Sequence, residues 1–172
     1  MASPTGLLTF RLDRQLYALR LSVVEQVVRS VEVTSLPDAP GIVVGVVNLR
    51  GRIVPVINIR KRFQIAERPI ELSDRFIIAN AGRRTVAIIV DEIADIDEVS
   101  DAAMVCADDV LLGLGFLEGV VKRPDGIVLI HDLARFLSLE EERTLERSLA
   151  EHRAADSPGR PADRDISAGP QS

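Results

Sequence analysis

Hydrophobic and polar residues alternate along most of the chain in short runs, and this pattern predicts a protein built mainly of strands. The runs LLTFRL (7–12) and LYALRL (16–21) are separated by a short polar turn. The segment RFIIANAGRRTVAIIV (75–90) has the same arrangement, with Gly82 at its turn. Val and Ile are frequent in these runs, and their branched Cβ atoms favour strands over helices. Two β-hairpins are therefore predicted.

Two further segments share one phrase, namely GVVNLRGRIVPVINIRKRF (45–63) and GVVKRPDGIVLIHDLARFL (119–137). Each predicts a strand, a turn, a second strand and a short helix, and Asn58 can cap the first of these helices. The turns differ, because Arg50-Gly51 stands in the first and Pro124-Asp125 in the second. Pro55 lies inside a predicted strand and cannot donate a ladder hydrogen bond, which indicates a bulge or a sheet edge.

The two halves of the chain resemble each other in sequence, and matching residues are separated by constant differences in residue number, called shifts below. Leu8 and Leu19 correspond to Ile77 and Ile88 at a shift of 69, and Gly45 corresponds to Gly119 at a shift of 74. Chance similarity between valine-rich hairpins is the alternative, but constant shifts favour a true repeat. Each half would form about five short strands around a small core, as in a compact barrel. Because each half is small, the two should share a hydrophobic seam.

Three helices are also predicted. Ser22 and Glu25 have capping-box spacing in SVVEQVVRS (22–30), and Asp91 can cap the segment EIADI in the same way. After Leu139, EEERTLERSLAEHRA reads as a solvated helix with an acidic first turn.

The expected organisation is one domain over 1–153, made of two intertwined barrel subdomains and this last helix. The first subdomain would run to about residue 70 and the second over 71–139. Residues 154–172 are rich in Pro, Gly, Ser and Asp, and we expect them to be disordered.

Composition narrows the function. Aromatic residues make up 3% of the chain, with no Trp, so the core must be aliphatic. A net charge of −5 argues against nucleic-acid binding. The single Cys106 excludes an internal disulfide and fits a reducing compartment. Neither a signal peptide nor an apolar run of membrane-spanning length is present, so we expect a cytoplasmic protein without direct membrane insertion.

Candidate chemistry is sparse. LLGLGF (111–116) lacks the residues of a phosphate-binding loop, and neither His131 nor His152 stands near a nucleophile motif. Asp91, Asp95 and Glu98 have helical spacing, which favours a solvated helix face over a metal site. Cys106 reads as a small buried hydrophobe rather than a reactive thiol. The sequence predicts no enzyme, no cofactor and no metal site.

The phrase VVNLRGRIVPVINIRKRF resembles the signature of the CheW family, the coupling proteins of bacterial chemotaxis. The segments LLTFRLDRQLYALRLSVVEQVV, LPDAPGIVVGVVNLRG and TVAIIVDEIADIDEV support the resemblance, which runs from about Leu7 to Leu139. It implies an all-β fold with short helices, in which two SH3-like five-stranded barrels share a hydrophobic core and a C-terminal helix follows. It also implies a non-enzymatic adaptor.

The resemblance implies two partners. One is the cytoplasmic tip of chemoreceptors, bound in a groove between the barrels. The other is the regulatory domain of the histidine kinase CheA, which would meet an apolar barrel end whose residues the sequence does not name. The implied receptor-binding residues are Leu21, Val24, Gly45, Asn48, Leu49, Arg50 and Gly51. Many relatives have Glu where this chain has Gln26, so a charge contact there is not implied.

Two other functions remain open at the level of sequence. The chain could couple receptors in a chemosensory pathway other than flagellar chemotaxis. It could instead be a small-ligand-binding β-barrel, which a deep pocket with convergent polar groups would indicate.

Overall fold

The structure, a computed structural model, describes residues 4–106 and 117–155. These residues form strands β1 Thr5–Leu12, β2 Gln15–Arg20, β3 Val24–Arg29, β4 Val43–Leu49, β5 Arg52–Ile57, β6 Arg75–Asn80, β7 Thr85–Val90, β8 Glu92–Val99, β9 Met104–Cys106, β10 Leu117–Arg123 and β11 Gly126–His131. The α-helices are α1 Ile59–Arg62 and α2 Leu139–Ala155. Short 3₁₀ turns lie at Leu21–Val23, Asp101–Ala103 and Leu133–Arg135.

The strands form two sheets, and each sheet draws on both halves of the chain. Sheet 1 has the order β8-β1-β2-β11-β10-β9, and sheet 2 has the order β3-β6-β7-β5-β4. Each sheet therefore contains strands from both sides of residue 70, so the sheets do not coincide with the two halves of the sequence. The first hairpin of each half pairs with the second hairpin of the other half, through the parallel contacts β2–β11 and β5–β7.

Strand register confirms the internal repeat. Leu8 lies opposite Leu19 in sheet 1, and their counterparts Ile77 and Ile88 lie opposite each other in sheet 2. The hairpins β4–β5 and β10–β11 both have a register shift just before their glycine, at Gly45 and at Gly119. Since the pairing follows the same two shifts as the sequence, the structure favours a true repeat over chance similarity.

Within the described residues, alternation along the strands fills separate hydrophobic clusters on the two faces of each sheet. Leu7 faces the interior of sheet 1 together with Ala18 and Ile130, whereas its neighbour Leu8 faces the other way. Phe76 and Val56 belong to the corresponding interior of sheet 2. The largest cluster lies between the sheets, and its members come from β1, β2, β4, β5, β6, β7 and the C-terminal segment. The fold is thus two SH3-like barrels that share a hydrophobic seam.

Two of the predicted helices are strands. Residues 24–29 form β3, which pairs with β6 from Val24↔Ala79 to Arg29↔Arg75. The segment after Asp91 forms β8, which pairs with β1. Ser22 lies in a 3₁₀ turn, but that turn ends at Val23. Branched valines favour a strand, and β6 is available as a partner, so strand pairing outweighs the local capping signal.

Pro55 occupies neither an outer strand nor a bulge of its own strand. It lies in β5, between β7 and β4, opposite Val46. The backbone N–H and C=O groups of Val46 bond to Thr34 instead, so this cross-strand pair needs no donor from position 55. Pairing of β5 with β7 begins only at Val56. An inner strand therefore tolerates this proline.

We had expected helix α2 to be solvated on all sides, but one of its faces is buried. Leu145 and Leu149 are buried in the cluster between the sheets, and the Ser148 hydroxyl donates to the Asp38 carbonyl at 2.9 Å. At its start, Glu141 pairs with Arg62 at 2.6 Å. The sequence pattern missed this face because only two large apolar residues, one turn apart, define it.

Several predictions lie outside the described residues. The glycine-containing loop 111–116, the side chain of Cys106 and residues 156–172 are among them. The segment expected to be disordered begins two residues too early, because positions 154 and 155 belong to α2.

Candidate protein-binding site

The β4–β5 hairpin has a two-residue turn whose conformation is unusual for its sequence. Arg50 and Gly51 have φ angles of 53° and 85°, so both lie in the left-handed region. Such a turn matches the twist of the strands and normally carries Asn, Asp or Gly at both positions. The Asn48 side chain accepts a hydrogen bond from the Gly51 N–H at 2.8 Å, which closes the turn. Asn48 and Gly51 therefore hold the tip, and Arg50 occupies it at a conformational cost.

The Arg50 side chain is exposed at this tip. It makes no hydrogen bond or ion pair with any residue that the structure describes. Leu49, beside it, is half-buried and packs on the interior cluster of sheet 2, which anchors the base of the tip. A rigid backbone thus presents one guanidinium group to solvent.

A second element reaches the same end of sheet 2. The Leu21–Val23 turn carries the chain from β2 in sheet 1 to β3 in sheet 2. Glu25, one residue after Val24, accepts hydrogen bonds from Arg52 at 2.7 Å and from Thr85 at 3.0 Å. Both bonds lower the pKa of Glu25, the Arg52 contact most strongly. Sequence reasoning assigned Glu25 to a helix cap and missed this link, which ties the crossing segment to the hairpin tip.

Leu21 and Val24 flank the seam between the barrels. Leu21 is 38% exposed, and Val24 packs partly against the cluster between the sheets. The Leu21 side chain lies over Gly6 in β1. Leu8, two residues further along the same strand, faces the same seam. Opposite Leu8 stands Ile96, which is 62% exposed and was not singled out from the sequence. Apolar side chains therefore line the edge of the seam on the sheet 1 side.

Gly45 has a structural explanation. It is buried, and a Cβ atom at this position would lie 2.2 Å from the Thr34 carbonyl oxygen. Its counterpart Gly119 meets the Val105 carbonyl oxygen in the same way, at 3.0 Å. Because both copies of the repeat need this glycine, Gly45 allows two chain segments to cross closely. The other copy has no arginine at the position that corresponds to Arg50.

A further charged cluster lies elsewhere and is structural. Arg60, 6% exposed, bonds to Asp13 at 2.9 Å and to Asp91 at 2.7 Å. Burial would raise the pKa of Asp91, but the hydrogen bonds from Arg60 and the Asp13 backbone hold it below its usual value. Arg68 joins Asp91 to the fully buried Asp74. This network connects the β1–β2 turn to α1 and to the β7–β8 crossing.

The remaining candidates have packing roles in the described residues. His131 is buried at the end of β11, where its ring lies 4.2 Å from the Phe63 ring and 5.4 Å from the Tyr17 ring, centroid to centroid. Asp91, Asp95 and Glu98 lie on or beside a strand, so they do not share a helix face. Within the described part of the chain, no three His, Cys, Asp or Glu side chains are grouped to hold a metal ion.

These features define a class of protein. Two rigid barrels carry an exposed charged tip and an apolar seam edge, which is the construction of a protein-binding scaffold.

The comparisons give the family. A family model described as "CheW-like domain" matches residues 6–141. A curated "Chemotaxis protein CheW" from Treponema pallidum (strain Nichols) is 32% identical over 145 residues, 81% of this chain and 85% of that protein. The CheW of Klebsiella aerogenes is 27% identical and covers 84% of this chain and 89% of its own length.

A solved structure agrees with the sequence relatives. The crystal structure of scaffolding protein TtCheW from Thermoanaerobacter tengcongensis aligns with a TM-score of 0.73 and 29% identity, covering 82% of this chain and 96% of that one. The chain belongs to the CheW-like domain family. It is a non-enzymatic chemotaxis adaptor, which confirms the expected function class and overrules a small-ligand-binding barrel.

One finding bears on the expected absence of membrane insertion. Among the described helices, none combines the length and apolar character that a membrane crossing requires.

Proposed function

We propose that the chain couples chemoreceptor cytoplasmic tips to the histidine kinase CheA, in the cytoplasm at receptor arrays. The receptor tip, a helical hairpin, would lie along the seam between the barrels, with apolar positions against Leu21, Val24 and Ile96. Arg50 would contact polar groups of the same hairpin. This is the helix-in-groove mode of recognition, in which apolar anchors supply affinity and a charged group sets the position.

One observation carries the proposal. Arg50 adopts a left-handed conformation that disfavours a long side chain, and it does so in only one copy of the repeat. At the equivalent turn the other copy has Pro124 and Asp125. These residues reverse the chain without adopting the strained left-handed conformation. Strain kept at an exposed, unpaired side chain indicates a binding function rather than a folding function.

The kinase contact would lie at the other end of sheet 2. Val31, Val44, Ile70 and Leu72 line an open groove of about 500 Å³ there, and Leu72 is 92% exposed. This groove adjoins the end of β3 and the beginning of β4, whereas Arg50 follows the end of β4. Both partners could therefore bind one molecule at the same time. An apolar barrel end also suits the homologous barrel of the kinase that the family resemblance implies.

The receptor site is tested by titrating a receptor-tip fragment into the parent, Arg50→Ala and Arg50→Gly. We expect both variants to lose at least about tenfold in affinity, as for a central arginine anchor. Arg50→Gly should unfold within about 1 kcal/mol of the parent, because glycine relieves the left-handed strain while adding backbone freedom.

Pro124→Ala is the matched control at the equivalent turn. It should cost about 1 kcal/mol or less in stability and leave receptor affinity unchanged. Parent-like receptor binding by Arg50→Gly would assign Arg50 to the structure of the turn and remove it from the site.

The particular pathway is a second question. A chemosensory system that controls something other than flagella would use the same two contacts. Pull-down of receptors and kinase from the native organism, followed by identification of both, distinguishes the two pathways.

A further inference from the structure

A cavity of about 310 Å³ lies between the β6–β7 turn and the segment that follows β11. Ala81, Leu133, Ala134 and Leu137 give it an apolar lining, and Arg83 and Glu142 are its charged neighbours. Leu133 is buried, whereas Arg83 is exposed. The cavity therefore opens to solvent beside a cationic side chain.

The internal repeat shows what stands at the equivalent place in the first copy. At the two shifts of the repeat, Gly82 corresponds to Asp13 and Ala134 corresponds to Arg60. In the first copy the Arg60 guanidinium fills the place beside the turn and bonds to Asp13 at 2.9 Å. In the second copy both side chains are truncated, and the turn approaches the following segment closely, since a Cβ atom on Gly82 would lie 3.3 Å from the Ala134 Cβ. The second copy therefore cannot form this ion pair, and the cavity lies beside the contact.

Caps on both segments confirm that the two positions are equivalent. The Asn58 side chain accepts a hydrogen bond from the Arg60 N–H at 3.1 Å, and the Asp132 side chain accepts one from the Ala134 N–H at 3.1 Å. The backbone after each second hairpin is thus held in the same way. The two copies therefore differ at this place in the side chains that they carry.

The cavity lies at the same end of sheet 2 as Arg50. Strands β5 and β7 are parallel neighbours, so the turns that precede them are at one end of the sheet. Neighbouring strands are about 5 Å apart. Glu25 joins the beginnings of these strands, since it bonds to Arg52 of β5 and to Thr85 of β7. A partner that contacts the hairpin tip therefore comes within reach of the β6–β7 turn.

The charged groups around the cavity differ in availability. Glu142 pairs with Arg84 at 2.5 Å, so its charge is already matched. Arg83 makes no ion pair or hydrogen bond with a described residue. The surface therefore offers an apolar space together with one cation that has no counter-charge among the described residues.

We propose that this cavity is a second receptor subsite, which takes one apolar side chain of the bound helical hairpin while Arg83 pairs with a carboxylate on the same helix. Residues three or four apart on a helix project from one face, so a single helix supplies both groups. The inference rests on the proposed receptor coupling, and it names the acidic and apolar character of the receptor surface that faces this end.

Filling the cavity from the protein side tests the proposal. Ala134→Leu places three extra carbon atoms beside Gly82, and Ala150→Leu adds the same atoms on the exposed face of α2. Titration with a receptor-tip fragment should show an affinity loss of about tenfold for Ala134→Leu, since an apolar anchor is displaced. Ala150→Leu should bind like the parent. If Ala134→Leu unfolds more easily than the parent, Ala134→Val gives the same test with a smaller side chain.

Arg83→Gln supplies a second measurement, and its repeat counterpart Arg14→Gln is the control. Arg14 is also exposed, but it lies at the equivalent turn of sheet 1. We expect Arg83→Gln to weaken receptor binding about threefold and to reduce its salt dependence, with no change for Arg14→Gln.

The outcomes separate this inference from the function on which it rests. If the parent binds the receptor fragment and Arg50→Gly does not, the coupling function holds. Parent-like affinity of both Ala134→Leu and Arg83→Gln then overturns the second subsite alone. If the parent does not bind receptor fragments at all, the coupling function fails and the subsite fails with it.

Discussion

Individual residues in this protein divide into those that build the turns and those that the turns present. Asn48 and Gly51 close the β4–β5 tip, and Arg50 is the side chain that this tip exposes. Gly45 lies within β4 and has a structural role at the crossing with Thr34, and its place among the receptor-binding residues stays a prediction. The internal repeat separates the two groups, because architecture is present in both copies while the exposed arginine is present in one.

Gly45→Ala should therefore act on folding before it acts on binding. The new methyl group would overlap the Thr34 carbonyl oxygen, so the crossing segment must shift. We expect a loss of about 1–3 kcal/mol in the free energy of unfolding, measured by urea denaturation. Receptor affinity should recover when the measurement is made at a temperature where the variant is fully folded. A fully folded variant that still fails to bind would show that Gly45 contacts the receptor.

Arg60 is the residue whose removal should cost most stability. Arg60→Met leaves the Asp91 carboxylate partly buried without its main partner, which typically costs about 3–5 kcal/mol. Asp13→Asn, at a half-exposed carboxylate, should cost about 1 kcal/mol or less. Urea unfolding of both variants at neutral pH gives the comparison, and an equal cost for the two would contradict it.

The same network predicts a pH dependence. The pKa of Asp91 is lower in the folded state than in the unfolded state, so its contribution to stability is complete above the unfolded pKa, near about 4. That contribution is lost as pH falls through the folded pKa. The stability difference between the parent and Arg60→Met should consequently narrow below about pH 4. A constant difference across that range would place the effect in packing rather than in charge.

Among the elements, helix α2 is the one whose role changes most between sequence and structure. It follows β11 of sheet 1, yet it packs on residues of sheet 2 and of the loop that contains Asp38. Its ion pairs reach Arg62 after β5 and Arg84 before β7. The helix therefore closes one side of the seam between the barrels, and most of it lies beyond residue 141, where the match to the family model ends.

Leu145→Ala tests the seam role of α2. Leu145 is fully buried in the cluster between the sheets, so its truncation should cost about 2–5 kcal/mol. The neighbouring Glu146→Ala, on the exposed face, should change stability by less than about 0.5 kcal/mol. Similar unfolding curves for Leu145→Ala and the parent would mean that α2 does not close the core.

Removal of residues 156–172 should leave the melting temperature unchanged, because that segment contains a single large aliphatic residue.

At the scale of the whole molecule, the two proposed contacts lie at opposite ends of sheet 2 and have different chemistry. The receptor end has Arg50 and Arg83, whereas the kinase end has Val31, Val44, Ile70 and Leu72. Salt should therefore affect the two interactions to different extents, because screening acts on exposed charges.

Raising salt from about 0.1 M to about 0.5 M should weaken kinase binding little and receptor binding more. Leu72→Ser should reduce kinase affinity and leave receptor affinity unchanged, which calorimetry with each partner can measure. A tenfold loss of kinase affinity over this salt range would indicate an electrostatic interface and contradict the apolar assignment.

Sequence alone determined the parts of this protein that depend on local signals. The hairpins, the turns at Arg50 and Gly82 and the Asn58 cap follow from residues close to one another in the chain. The internal repeat follows from comparing two such sets of local signals. The family resemblance also followed from one contiguous phrase, and the family model confirms it.

Only the tertiary structure decided which segments pair. Residues 22–30 have a capping signal and helical spacing, but their valines become a strand because β6, from the other half, is available beside them. The exchange of hairpins between the halves, the Arg60 network and the Glu25–Arg52 link likewise join residues far apart in sequence. Local pattern cannot specify them, since burial against a distant partner contributes more free energy than helix or strand propensity at a single site.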